Sequence, residues 1–261
     1  GIQIFGAKCE SRLRYIEIVE SYIPDIIDIN FGCPVKKVVS KGAGAGILRD
    51  VPLMVKLTAE MAKHTSLPLT VKTRLGWDND SIKIVEVAER LQDAGAKAIS
   101  IHGRTRAQMY KGDADWKPIA AVKNNSRMHI PVFGNGDVDS PEKAVEMRDR
   151  YGLDGAMIGR ASIGNPWFFN QVKHFFKTRV HMDKPSIQDR VAVAKRHLEM
   201  SIDWKGDVLG VLETRRHYTN YFKGIKNFKP YRTAMVTAND PQEVFNTFDR
   251  VLDEVIDPVW L

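Results

Sequence analysis

The chain has 261 residues, of which 43% are hydrophobic and 27% charged, with a formal net charge of +7. That length suits one large α/β core, and no apolar run approaches the length needed to span a bilayer. Two cysteines, Cys9 and Cys33, make neither a disulfide framework nor a metal cluster, and the seven histidines show no metal-ligand spacing. A reducing, cytoplasmic setting without membrane or metal is expected, and the basic balance favours a polyanionic partner.

The segment Gly1 to Gly6 alternates like a short strand. Ser11 is placed to cap a helix running to about Tyr22, with Leu13, Ile16 and Val19 on its buried face. The apolar run Ile26-Ile27-Asp28-Ile29 ends in Asn30. Side chains alternate along a strand, so Ile27 and Ile29 share one face while Asp28 and Asn30 share the other. Phe31-Gly32-Cys33-Pro34 then makes a turn into a basic, glycine-rich segment, Val35 to Gly46, carrying Lys36, Lys37 and Lys41. This segment reads as a mobile loop. Taken alone, Cys33 is explained equally well as a small buried hydrophobe or as a thiol presented at the mouth of a site.

Pro52 to His64 reads as a helix with proline in its first turn. Leu69 to Arg74 reads as a strand, and Ser81 to Ala94 as an amphipathic helix stopped by Gly95. Ala98 to His102 is a fourth strand, ending in Gly103-Arg104-Thr105. A helix from about Trp116 to Asn124 leads into Pro131 to Asp137, a helix over Pro141 to Arg150 follows, and Gly155 to Arg160 is the sixth strand.

Strands alternating with helices argue for a parallel sheet. The dinucleotide pattern GxGxxG is absent after the first strand, which weighs against a doubly wound fold. Ile2/Ile4, Ile27/Ile29, Leu69/Val71 and Ile99/Ile101 form one apolar face. Gln3, Asp28/Asn30, Thr70/Lys72 and Ser100/His102 form the opposite one, with Asn135 continuing the series. Polar groups near the C-terminal ends of successive strands suit the mouth of a (β/α)8 TIM barrel. Six of its eight strands are visible, so two βα units are expected to lie upstream of Gly1. On that count Gly134-Asn135-Gly136-Asp137 and Gly159-Arg160 follow the seventh and eighth strands, the loops that most often hold phosphate in this fold.

The expected organisation is a barrel over residues 1–180, a linker over 181–185, and an all-helical domain over 186–261 capped by Ser186. Residues 190–232 hold ten Lys/Arg against four Asp/Glu, whereas residues 233–261 hold one against six. Basic residues interleaved with Tyr218, Tyr221, Phe222 and Tyr231 suit RNA, where phosphates take the charge and bases stack. The alternative is a solvated bundle with these aromatics in its core. Arg215 and Arg216 are the candidate phosphate contacts.

With these residues in view, the sequence resembles the tRNA-dihydrouridine synthase family, most closely its bacterial members. The resemblance rests on Gln3 to Gly6, Asp28 to Pro34 with Lys36-Lys37-Val38, Val71 to Trp77, Ile101 to Thr105, Gly134 to Asp137, Ile158 to Ala161, and Arg215-Arg216-His217 with Tyr221. It implies an FMN-dependent oxidoreductase that takes electrons from NADPH and reduces a uridine of the tRNA D-loop. Carried across, Gln3, Lys72 and His102 contact the isoalloxazine. Asn135, Gly159 and Arg160 hold the FMN phosphate, with Asp137 in the same cofactor set. Asn30 faces the uracil, Cys33 donates the proton to C5, and Lys36, Lys37, Arg104, Arg215 and Arg216 face the tRNA. A thiol is largely protonated at neutral pH, as that donor must be. A lysine inside a barrel wants an anionic partner, which a reduced flavin supplies. A monomer is expected. The departure lies at the start, where two βα units of the family pattern are missing. A flavin barrel acting on a small dihydropyrimidine would explain the flavin residues but not the basic tail. A tRNA-binding factor without catalysis would explain the tail but not Asn30, Cys33, Lys72 and His102.

Overall fold

The computed structural model describes residues 1–6 and 9–255, the side chains of residues 9–13 excepted. The elements in order are β1 (Ile2–Ile4), α1 (Cys9–Glu20), β2 (Ile27–Asn30), α2 (Lys36–Val39), α3 (Val51–Lys63), β3 (Leu69–Arg74), α4 (Ile84–Asp93), β4 (Ala98–His102), α5 (Lys117–Lys123), β5 (Val132–Asn135), α6 (Pro141–Tyr151), β6 (Gly155–Met157), α7 (Phe168–Thr178), α8 (Ile187–Tyr221), α9 (Lys229–Thr237) and α10 (Pro241–Glu254). They form two compact units, Gly1–Gly159 and the chain from Arg160 onward.

In the first unit six parallel strands lie in the order β1-β2-β3-β4-β5-β6. A doubly wound sheet reverses its strand order at a switch point, whereas a barrel wall adds each strand beside the last. The sequential order is that of a barrel wall. Register makes the two faces distinct. Ile27 pairs with Leu69, Ile29 with Val71, Val71 with Ile99, and Ile99 with Val132. All are at most 1% exposed. Helix residues at three- and four-residue spacing cover this face: Met54, Leu57 and Met61 from α3, Ile84, Val87 and Leu91 from α4, Ile119 and Val122 from α5. The polar face falls into register as well. Asn30 pairs with Lys72, Lys72 with Ser100, Arg74 with His102, and His102 with Asn135.

Several boundaries differ from the sequence expectation. Helix α1 starts at Cys9, which puts Ser11 inside the helix, and Leu13 lies outside the described side chains. Helix α3 starts one residue before Pro52 because Asp50 caps it, accepting the Leu53 N–H at 2.9 Å. Helix α4 begins at Ile84, after a 3-10 turn over Asn79–Ser81.

The second unit is helical around its own core. Ser186 caps α8, and its side chain accepts the Asp189 N–H at 3.0 Å. Helix α8 is a hairpin rather than one rod, because Gly206 takes φ 76° and ψ 168° and turns the chain back. The arms run antiparallel: Ser201 Oγ donates to the Gly210 carbonyl at 3.2 Å, and Arg190 Nη1 donates to the Lys223 carbonyl at 3.2 Å. Val191, Ala194 and Leu198 pack with Tyr218, Tyr221, Phe222, Phe228, Val244 and Phe248. The tail aromatics therefore serve the core. Tyr218, Tyr221 and Phe222 are each at most 5% exposed, and the Tyr231 hydroxyl donates to Glu254 at 2.7 Å. Base stacking is not the role of the buried three, since no face of a buried ring is open to a base.

The division after Gly159 falls well before residue 180. Gly164 lies against the His217 carbonyl and Asn220, and Trp167 meets Tyr221 edge-on at 6.3 Å, so this stretch packs with α8. Among the described residues no helix is long and apolar enough to cross a membrane. Nor does any group of three or more His, Cys, Asp or Glu there have a metal-binding arrangement.

Candidate active site

The polar face carries two clusters joined by strand register. The first gathers around β2. Asp28 accepts the Gln3 amide at 2.6 Å and the Thr70 hydroxyl at 2.6 Å. The other end of the Gln3 amide accepts from Asn30 Nδ2 at 2.8 Å, and Asn30 Oδ1 accepts the N–H groups of Gly32 and Cys33 at 2.9 and 3.0 Å. Asn30 thus shapes the turn that presents Cys33, a free and half-exposed thiol.

The later part of the glycine-rich segment after this turn is closely packed. Gly44–Arg49 is a 3-10 helix with Gly44 to Leu48 buried. The Ala45 N–H donates to the Cys33 carbonyl at 2.9 Å. Gly44 has φ +54°, and a Cβ there would stand 2.7 Å from the Cys33 oxygen and 2.9 Å from the Cys33 Cβ. Within the segment expected as a mobile loop, Ala43 to Leu48 is a close-packed floor under the cysteine that Gly44 lets approach, while Lys36, Lys37, Lys41 and Gly42 are exposed.

Lys72 follows Asn30 in register, and among the described residues its ammonium has neither a hydrogen bond nor an ion pair. Burial, reinforced by the Arg74 guanidinium, holds its pKa below the ordinary lysine value, with the Asp28 carboxylate pulling the other way. A half-buried ammonium without a partner is a place for an anion.

The second cluster spans β4 and β5. Burial, followed by the charges of Arg74, Lys72 and Arg104, pushes His102 down to about 3 against an opposing pull from Asp137. The ring is therefore neutral at physiological pH. An arginine can only donate, so the 3.3 Å contact from Arg104 Nη1 makes His102 Nε2 the acceptor and puts the proton on Nδ1. Asn135, next in register, donates from Nδ2 to the Met157 carbonyl at 2.8 Å.

Arg104 is a correction. It is 2% exposed, and its guanidinium is spent on the Lys111 and Gly112 carbonyls, on His102 and on Asp137 at 2.6 Å. Asp137 also accepts the Ala114 N–H at 2.8 Å. This pair ties the loop after β4 to the loop after β5, and a guanidinium so committed has nothing left for an RNA phosphate. Arg215 is half-buried and holds protein oxygens through one of its two terminal nitrogens. Its Nη2 donates to Ala238, the C-terminal cap of α9, and to Asn239 Oδ1 at 2.8 Å. Arg216, by contrast, is exposed beside His217, and Lys36 and Lys37 are exposed on α2. Gly159 and Arg160 are exposed and fall on either side of the division between the units.

Two residues gain a role that the sequence alone did not give them. Asp28 is the hub of the first cluster. Arg74, 2% exposed, donates to Gly32 O at 2.8 Å, Thr105 O at 3.0 Å and Met109 O at 2.8 Å, binding the turn before Cys33 to the loop after β4. The signal for both was present: a charged residue on the polar face of a strand needs several partners, and neighbouring loops are the source.

Comparison with known proteins agrees with this layout. The profile described as "Dihydrouridine synthase (Dus)" matches residues 1–256. "Probable tRNA-dihydrouridine synthase 1" of Synechocystis sp. is 39% identical over 251 residues, covering 96% of this chain and 70% of the relative. "Probable tRNA-dihydrouridine synthase" of Rickettsia conorii is 38% identical, with 93% and 73% covered, and "tRNA-dihydrouridine synthase B" of Pseudomonas putida 38% identical, with 92% and 71% covered. A match over nearly the whole chain, joined to a sequential parallel barrel wall followed by a helical region, places the chain in the TIM-barrel dihydrouridine synthase family.

Proposed function

We propose that this protein reduces a uridine in the D-loop of tRNA to 5,6-dihydrouridine, with FMN as cofactor and NADPH as reductant. Members of the family are flavin-dependent oxidoreductases, and three relatives carry tRNA-dihydrouridine synthase in their names. The observation that carries the cofactor assignment is Lys72, an ammonium on the polar face with no protein partner among the described residues. Lys72 and neutral His102 fit a flavin ring edge, the first balancing negative charge and the second supplying a fixed neutral donor. Gln3 borders that position while holding Asn30. Asn135, Gly159 and Arg160 are assigned to the phosphate, with Asp137 fixing the loop beside it. FMN, when bound, supplies the hydride that goes to C6 of the uracil.

The chain's own part is to orient the base and supply the second hydrogen. Asn30 is assigned to the uracil edge, and Cys33 gives its thiol proton to C5 as the double bond is reduced. Lys36 and Lys37, on the short helix that follows Cys33, and Arg216 in the helical unit are assigned to RNA phosphates. In the test, tRNA lacking dihydrouridine is incubated with the protein, FMN and NADPH, and its nucleosides are analysed. Dihydrouridine formation dependent on NADPH is the expected result. Its absence, with FMN bound and NADPH consumed, would overturn the RNA assignment.

A further inference from the structure

We infer that Asp28 is a positioning residue, which fixes the amide orientation of Gln3 and, through Gln3, of Asn30, and so sets the turn that carries Cys33. Its place in the reaction rests on the reading of Cys33 given above.

A side-chain amide keeps its shape when its oxygen and nitrogen exchange places, so its neighbours decide which way it points. Here a carboxylate sets one end of a chain of contacts, and two backbone N–H groups meet the other. The Asp28 carboxylate only accepts. One oxygen takes the Thr70 hydroxyl at 2.6 Å, and the other faces the Gln3 amide at 2.6 Å, which must therefore offer its nitrogen. Gln3 Oε1 is left pointing at Asn30, where only Nδ2 can donate, at 2.8 Å. Asn30 Oδ1 is then the atom that meets two backbone donors, the N–H groups of Gly32 and Cys33, at 2.9 and 3.0 Å. Each link forces the next. The relay crosses three adjacent strands, from Thr70 on β3 and Asp28 on β2 to Gln3 on β1 and back to Asn30 on β2.

The far end shows why the orientation matters. If the Asn30 amide turned over, its NH2 group would face two N–H donors, and the Gly32–Cys33 turn would lose both of its bonds to Asn30. Arg74 would still hold the Gly32 carbonyl at 2.8 Å, but nothing else in this set reaches the Cys33 N–H.

Asp28→Asn tests this with little change of shape. Asparagine can donate to Gln3 Oε1 as well as accept from Gln3 Nε2, so Gln3 is no longer forced to offer its nitrogen and the Asn30 amide is oriented by its two backbone donors alone. Hydrogen exchange of the Gly32 and Cys33 backbone amides, followed by NMR on the full chain without cofactor or RNA, is expected to speed up by on the order of tenfold. Adding Gln3→Glu moves the carboxylate one step along the relay. The carboxylate now on β1 accepts from the amide nitrogen introduced on β2 and from Asn30 Nδ2, while the oxygen of the introduced amide takes the Thr70 hydroxyl. The double variant is expected to exchange as the parent does at both backbone amides, which a packing role for Asp28 would not produce.

Parent-like exchange in Asp28→Asn would overturn the inference, as would a double variant that exchanges as fast as the single one. Should Asp28→Asn fail to fold, the double variant decides: parent-like exchange supports the relay, and failure to fold or fast exchange refutes it. Because exchange is read without substrate, a catalytically silent Cys33 would remove the reading of that thiol and leave the relay standing.

Discussion

His102 shows how a single environment decides a protonation state. Its ring is 6% exposed among three cationic side chains, and its pKa is pushed to about 3. The unfolded chain takes up a proton near pH 6.5 that the folded ring refuses until about pH 3. The sign follows. Stability from this group is complete above the unfolded value and is lost as pH falls through the interval toward 3. At roughly 1.4 kcal/mol per pH unit, His102 should cost the parent about 2 kcal/mol between pH 8 and pH 5. Urea unfolding at those two pH values checks this: the parent should lose about that much more than His102→Gln, and equal losses would contradict the assignment. At this scale the sequence was legible in part. Alternation along each strand put Gln3, Asn30, Lys72, His102 and Asn135 on one face, and register joins them there. It did not separate arginines that meet a ligand from arginines that brace a loop. Arg104 and Arg215 find their oxygens 33 and 23 positions away along the chain, at Asp137 and Ala238, beyond any local pattern.

Among the elements, β3 and β4 were readable to the residue, because apolar side chains every second position leave no other phase. Capping signals are legible where side chain and helix are local, as at Ser186, and Asp50 ahead of α3 carries the same signal two residues before the expected start. The glycine-rich stretch misled. A run of glycines has the same composition whether it moves freely or packs closely, and only the partner backbone tells the two apart. Gly44 gives the direct check. Alanine there meets both a positive φ and the Cys33 carbonyl at 2.7 Å. Gly44→Ala should destabilise the chain by about 1–3 kcal/mol, more than a simple entropy effect would allow. It should also lower uridine reduction, because the floor under Cys33 has to shift. Chemical denaturation beside a turnover assay reads both, and a variant matching the parent in each would mean that the floor does not press on the cysteine.

Over the whole molecule, the six-strand wall and its order follow from strand-helix alternation, while the division after Gly159 does not. Trp167 and Gly164 look like the end of a barrel unit, yet both pack against α8. The basic surplus of residues 190–232 is real, but part of it is internal: Arg190 donates to Pro185, Tyr221 and Lys223, and Arg215 holds the end of α9. The exposed cations Lys36, Lys37 and Arg216 remain as proposed RNA contacts. Replacing Lys36 and Lys37 by Ala should weaken tRNA binding and reduce its logarithmic salt slope by about one unit for each phosphate no longer neutralised. FMN content should be unchanged, and binding equal to the parent across a salt series would remove both lysines from the interface. Uridine reduction needs a proton at C5, whereas flavin reduction by NADPH does not, so the two half-reactions should separate in Cys33→Ala. Measured side by side with FMN-loaded protein, the rate of dihydrouridine formation should fall by ~10²–10⁴-fold while NADPH reduces the flavin at the parent rate. A Cys33→Ala protein that forms dihydrouridine at the parent rate, or that can no longer hold FMN, would mean that Cys33 is a packing residue and not the proton donor.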